Sequence, residues 1–153
     1  MGLDMYLEKK NYVQNWDHNP KEEQHEIVVK QGGKVRVDID PSKITYIVEG
    51  VGYWRKANAI HAWFVENVQN GIDNCQSSYV STEQLKELLG AVEVVLVHKD
   101  KASGILPTQG GFFFGGQEYD EYYFQDMEET KKIITELIKN DNGRAEYYYT
   151  ASW

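Results

Sequence analysis

The chain carries one cysteine, Cys75, so no intrachain disulfide can form, and that usage suits a reducing compartment. Apolar runs are short. The longest, Ala91 to Val97, is broken by Glu93 and falls far below the ~20 residues that span a bilayer, so no membrane association is expected. Metal-ligand patterns are missing too: His18, His25, His61 and His98 show no paired spacing, and no metal or cofactor is expected. Cations are scarce. Lys and Arg total 16 against 24 Asp and Glu, giving a net charge of −8 that repels a phosphate backbone and argues against general nucleic-acid binding. The first residues have neither a basic start nor an apolar stretch of secretory type, and Tyr6 stands where a myristoylation signal needs Ser or Thr. A soluble, cytoplasmic protein is the expectation.

Aromatic residues, by contrast, are abundant. Four Trp, eleven Tyr and five Phe make 13% of 153 residues, which excludes a disordered chain. The length suits a single domain over 1–153.

Hydrophobic periodicity places the elements. Residues 2–13 alternate as a strand, with Leu3, Met5 and Leu7 on one face. Residues 14–24 read as a loop, and 26–38 as a β-hairpin turning at Gly32-Gly33, where tight turns require positive φ. Residues 44–48 read as a strand, with a helical turn after Pro41 as the alternative. Spacings of three and four predict a helix over 54–69, stopped at Asn70-Gly71. A short strand at Tyr79-Val80 precedes a second helix from Ser81 to about Val97, with Ser81 and Gln84 as a capping box. Residues 99–117 read as a long ordered loop, of the kind that often carries function. A third helix covers about 119–139, and 146–153 reads as a strand joining the sheet. Strands early and helices late predict an α+β fold: a mostly antiparallel sheet with a hairpin and about three packed helices.

Three clusters are candidate sites. In the first, residues 53–64, Trp54, Asn58 and His61 share one face of the expected helix, with Arg55 and Lys56 in its first turn. Cations there oppose the helix dipole, so an anion held by both cations and free backbone amides is one reading. Trp54 would then stack on a base and Asn58 read a polar edge. A core Trp, a satisfied His and two solvated cations form the other reading. The second cluster runs from Leu106 to Gly116. No Gly-Lys-Ser/Thr follows its glycines, which excludes a P-loop. Phe112, Phe113 and Phe114 cannot all face one core in an extended chain, so at least one meets a pocket, a partner or a second core. A strand buried on both sides stands equally. The third cluster, Glu118 to Asp126, offers carboxylates for acid-base or metal chemistry, or simply charges suited to a helix start. Asp120 would orient Arg55 or accept a base amino group. Cys75 with His61 and Asp73 would make a thiol nucleophile only if the three met in space, and no nucleophile signature surrounds Cys75.

Three segments resemble a family of small proteins of unknown function found in bacteriophages and prophages. They are residues 1–7 (MGLDMYL), 52–64 (GYWRKANAIHAWF) and 106–115 (LPTQGGFFFG), with Tyr119-Asp120-Glu121 and Ser152-Trp153 fitting as well. The resemblance spans nearly the whole chain. It implies a phage-encoded accessory protein of a bacterial cytosol, and such proteins often counter host defence.

These readings combine into an expected binding protein, with no catalytic residue assigned, that sequesters a small nucleotide-derived immune signal. Trp54, Phe113, Phe114 and Tyr123 would stack. Arg55 and Lys56 would meet phosphate, and Asn58, His61, Gln109 and Asp120 would read polar edges. The alternatives are a hydrolase using His61 as base with Asp120 as its partner, or an acidic mimic of nucleic acid that inhibits a host defence protein. Exposed aromatics favour homo-oligomers in every case.

Overall fold

A computed structural model describes residues 2–153; Met1, the first residue of the expected domain, lies outside the described residues. β1 is Asp4–Tyr12. A long excursion follows, holding the two-residue strands β2, Lys30–Gln31, and β3, Lys34–Val35. β4 is Tyr46–Arg55, and α1 is Asn58–Asn67. β5, Ser78–Val80, leads into α2, Thr82–Val97. The short α3, Ala102–Ile105, opens a loop that ends at α4, Glu121–Lys139. β6 is Glu146–Ser152.

The main sheet has the order β4-β1-β6-β5, and every pairing is antiparallel. Alternation along β1, β5 and β6 sorts their side chains, while β4 shifts register by one residue opposite Leu7 and Glu8. Leu3, Met5, Leu7, Trp54, Val80, Tyr147, Tyr149 and Ala151 are buried in the core, which the helices share through Ile60, Phe64, Leu85, Leu88, Val92, Met127 and Ile134. The register sets Tyr6 opposite Tyr53 and Tyr12 opposite Tyr46 on the other face, together with Tyr79 opposite Tyr148. The result is an α+β fold with its helices on one side of an antiparallel sheet.

Local signals set several boundaries. Ser81 Oγ accepts from the Gln84 amide at 3.1 Å and Gln84 Oε1 accepts from the Ser81 amide at 3.0 Å, completing the expected capping box. α1 ends at Asn67, and the chain turns away just beyond it, where Asn70 and Gly71 take positive φ and the Gly71 amide donates to Val65 O at 2.8 Å.

Other boundaries moved. Trp54, Arg55 and Lys56 are not helical. β4 runs through Arg55 because pairing with β1 imposes a two-residue alternation, Tyr53 out, Trp54 in, Arg55 out. The strand expected at 44–48 is the start of that longer strand, after a 3-10 turn at Pro41–Lys43. The hairpin is shorter than expected, two residues per strand, because the apolar residues of 26–38 find no face to bury against. The loop expected over 99–117 opens with a 3-10 turn and α3. Phe112 to Phe114 do not form a strand: Gly111 and Phe114 close a turn that leaves Phe112 exposed and Phe114 buried.

Gly52 sets how closely α4 approaches the sheet. A Cβ there would meet Trp54 Cη2 at 3.0 Å, and Ile133 Cγ2 and Leu7 Cβ at 3.2 Å, whereas one at Gly50 meets nothing within 4 Å. Leu7 Cβ cannot yield without moving β1. Gly52→Ala is expected to destabilise by about 1–2 kcal/mol in urea unfolding, and Gly50→Ala to be near neutral. Equal effects at the two positions would contradict the close packing.

Candidate ligand cavity at the junction of β4 and α1

Two residues connect β4 to α1, and the first is strained. Lys56 has φ of +57°, a region that non-glycine residues enter at some cost and that recurs at functional sites. Two contacts impose it. The Lys56 amide donates to Leu3 O at 2.8 Å, and Gly115 lies so near that a Cβ on it would stand 3.1 Å from Lys56 Cβ. The Leu3 amide in turn donates to Phe113 O at 3.1 Å. The start of β1 is thus held between the Lys56 turn and the glycine loop.

Asn58, buried in the first turn of α1, holds the loop from the other side. Its Nδ2 donates to Phe114 O at 3.0 Å and to Gly116 O at 2.8 Å, and its Oδ1 accepts from the Gln109 amide at 3.0 Å. Thr108 Oγ1 donates to Gln117 O at 3.0 Å, and the Thr108 amide donates to Tyr119 Oη at 3.2 Å. Tyr123 donates its hydroxyl to Leu106 O at 2.7 Å. The glycines are needed for closeness here: a Cβ on Gly111 would lie 2.7 Å from the Phe114 ring.

This folding leaves a cavity of about 300 Å³ between the Lys56 turn, the loop and the start of α4. Arg55 and Lys56 line one side; Asp120, Tyr122, Tyr123 and Asp126 line the other. Arg55 is lightly engaged, 3.9 Å from an Asp4 oxygen that also accepts from Tyr53 Oη at 2.6 Å. Asp120 caps α4 by accepting from the Tyr123 amide at 3.1 Å. Burial pushes the Asp126 carboxyl up to about 7, with Glu129 and Asp120 adding to the rise. Burial also raises the Tyr123 hydroxyl, which stays protonated.

Of the residues expected from sequence to meet a ligand, Arg55, Lys56, Asn58, Asp120 and Tyr123 therefore line one cavity. Trp54 is in the core, 2% exposed, donating Nε1–H to Thr130 Oγ1 at 2.9 Å. Gln109 is in the loop and contributes its amide to Asn58. Phe113 is partly buried against the core, and Phe114 packs edge-on against His61 with ring centres 5.3 Å apart.

His61 is sealed, at 0% exposure. Nδ1 lies 2.6 Å from Tyr149 Oη, and Nε2 lies 2.9 Å from Asp73 Oδ2. Burial, with help from Asp73 and Cys75, raises the Tyr149 hydroxyl well above its ordinary value, so it remains a donor. In the neutral ring Nδ1 then accepts from Tyr149 and Nε2–H donates to Asp73, whose other oxygen accepts from Trp153 Nε1 at 3.0 Å. Both nitrogens are engaged inside the protein, so the ring holds α1, β6 and the 68–77 loop together rather than serving a bound molecule.

Tyr122 and Asp126 also line the cavity; both belong to the third sequence cluster, which singled out neither as a ligand contact. The signal for Asp126 was its place three residues after Tyr123 and four before Thr130, a carboxylate beside the buried stripe of α4. Among the described residues no three His, Cys, Asp or Glu are grouped to hold a metal ion, and no helix is long and apolar enough to cross a membrane. Comparison with known proteins finds no family model, curated protein or solved structure that matches this chain.

The Asp126 carboxyl gives the fold a pH dependence. The unfolded chain releases this proton near 4 and the folded chain near 7. Between those values the folded state holds the extra proton, so this group's contribution to stability declines as pH rises and is fully lost above 7. Asp126→Asn is expected to leave Tm near unchanged at pH 4 and raise it by about 3 °C at pH 8. That corresponds to ~1 kcal/mol, well below the ~4 kcal/mol of a fully buried group, because solvent reaches this one. Equal Tm changes at both pH values would contradict the assignment.

Proposed function

We propose that this protein binds a small nucleotide-derived ligand in the cavity beside Lys56 and holds it without cleaving it. The observation that carries the reading is the meeting, around one cavity, of two cations with hydroxyl and carboxyl groups from α4. Arg55 and Lys56 suit phosphate, with Arg providing a planar fork and Lys a point charge. The ring of Tyr122, 75% exposed at the mouth, offers a stacking face. Asp120 suits sugar hydroxyls or a base amino group. Asp126, protonated below about pH 7, suits a carbonyl or phosphate oxygen as acceptor. A volume of about 300 Å³ is at the small end for ligand cavities and encloses one nucleotide unit, so the other half of a cyclic dinucleotide or ADP-ribose would lie outside it. On the resemblance to phage proteins, the ligand proposed is an immune signal of the bacterial host.

A hydrolase with His61 as its base is disfavoured, because the His61–Asp73 pair is sealed behind Phe114 and fully engaged. A general base must come within hydrogen-bond reach of the proton it removes.

Calorimetry of the full chain against ADP-ribose derivatives and cyclic dinucleotides tests the reading. A member of the panel is expected to bind with Kd of about 1–10 μM, near −7 to −8 kcal/mol, and to be recovered intact. Lys56→Met keeps the side chain's stem beside Gly2 and Gly115 and is expected to weaken binding at least about tenfold. Affinity for phosphate ligands should fall above pH 7 as Asp126 ionises. No heat with any ligand at ~0.5 mM would contradict the proposal, and recovery of cleaved ligand would favour a hydrolase.

A further inference from the structure

We propose that two copies of this chain pair antiparallel along their β4 edges, so that the β2–β3 arm of each lies against the acidic start of α4 in the other. The proposal stands apart from the ligand reading.

The arm has no place of its own. Between Val13 and Tyr46 no residue is buried, although the segment includes Ile27, Val28, Val29, Val35, Val37 and Ile39. Val37 is 97% exposed. The protein's accessible surface is 9866 Å², against roughly 8,000 Å² for a compact monomer of this mass. The excess, about 1,900 Å² per chain, is more than the ~800 Å² that each partner contributes to a standard interface.

Charge identifies the partner surface. Residues 27–37 carry Lys30, Lys34 and Arg36 and no acidic residue, within a chain of net −8; Arg36 is paired with Asp38. Residues 118–129 carry six acidic residues and no basic one. Glu118, Glu121, Glu128 and Glu129 among them are exposed. Hairpin and helix start are complementary in sign, which selects partners and orients them.

Topology makes the contact one between copies. The arm leaves the sheet where Tyr12 pairs with Tyr46, whereas the acidic start of α4 borders the cavity where Asp4 pairs with Arg55, at the opposite end of β1 and β4. β4 is an edge strand of ten residues, and edge strands present unpaired backbone groups to a second chain. A cavity of about 410 Å³ opens beside it, lined by Gly50, Val51, Gly52 and Tyr53 with Glu129 and Ile133 of α4. Antiparallel pairing of two β4 strands about a twofold axis sets Tyr46 of one copy beside Arg55 of the other. Each arm then starts next to the other copy's cavity and Glu129.

Sedimentation of the full chain without ligand tests this. A species of twice 17.7 kDa is expected at tens of micromolar, dissociating as salt rises, with β4 amide exchange slowing as the dimer fills. Lys30→Glu with Lys34→Glu, both exposed, should weaken the dimer about tenfold or more. Adding Glu128→Lys and Glu129→Lys should restore it. A monomer throughout, a dimer indifferent to the lysine reversals, or a failure of the charge swap to rescue would each overturn the proposal.

Discussion

The side-chain amide of Asn58 is the interaction on which the cavity depends. An amide has few donors and acceptors, and here three of its hydrogen bonds go to one loop, at Gln109, Phe114 and Gly116. Those contacts are buried or partly buried, so each lost partner would leave an unsatisfied polar group at a cost of about 1–3 kcal/mol. The clamp acts in two directions. Outward, it holds Gly115 against Lys56 and, with Gly116, forms one wall of the cavity. Inward, it places Phe114 over His61, closing the Tyr149–His61–Asp73 chain away from the cavity. A single side chain thereby separates a polar network that holds the fold from the polar groups that line the cavity.

The aromatic excess divides the same way. Tyr149 stacks on Phe64 at 3.9 Å between ring centres, and Tyr147 is buried beside it in the strand pattern. Tyr6, Tyr53, Tyr12, Tyr46, Tyr79 and Tyr148 pair across strands on the other face, where Lys10 lies 4.0 Å over the Tyr46 ring. Cross-strand aromatic pairs stabilise a sheet even when half exposed, so the open face needs no helix to cover it. Tyr122 and Tyr123 form the aromatic part of the cavity, one at its mouth and one anchored to Leu106.

Much of the fold was legible because it follows from local rules. The Ser81–Gln84 box, the stop at Asn70-Gly71 and the amphipathic stripe from Tyr123 to Leu137 each need only neighbours in sequence. Helical spacing misassigns 54–57 because a nonlocal partner decides that segment. Trp54, Ala57, Ile60 and His61 have helical spacing, yet pairing with β1 outweighs that pattern and makes the first of them a strand residue. Arg55 and Lys56 consequently reach the cavity from a strand end and a strained turn, with no help from a helix dipole. All three sequence clusters supply residues that line the cavity, but spacing does not rank the residues within them. Burial, which no spacing reveals, took Trp54, His61 and Phe114 inward and raised the Asp126 carboxyl.

Amide hydrogen exchange in Asn58→Ala tests the clamp most directly. Loss of the Asn58 side chain should speed exchange at Gln109, whose amide donates to it, by about tenfold or more, with the neighbouring loop following. The β1 and β6 amides, paired within the sheet, should keep their protection. Unchanged protection at Gln109, or an equal loss across the sheet, would contradict the account: the loop would then be held by something other than Asn58, or Asn58 would support the whole fold and not the cavity wall.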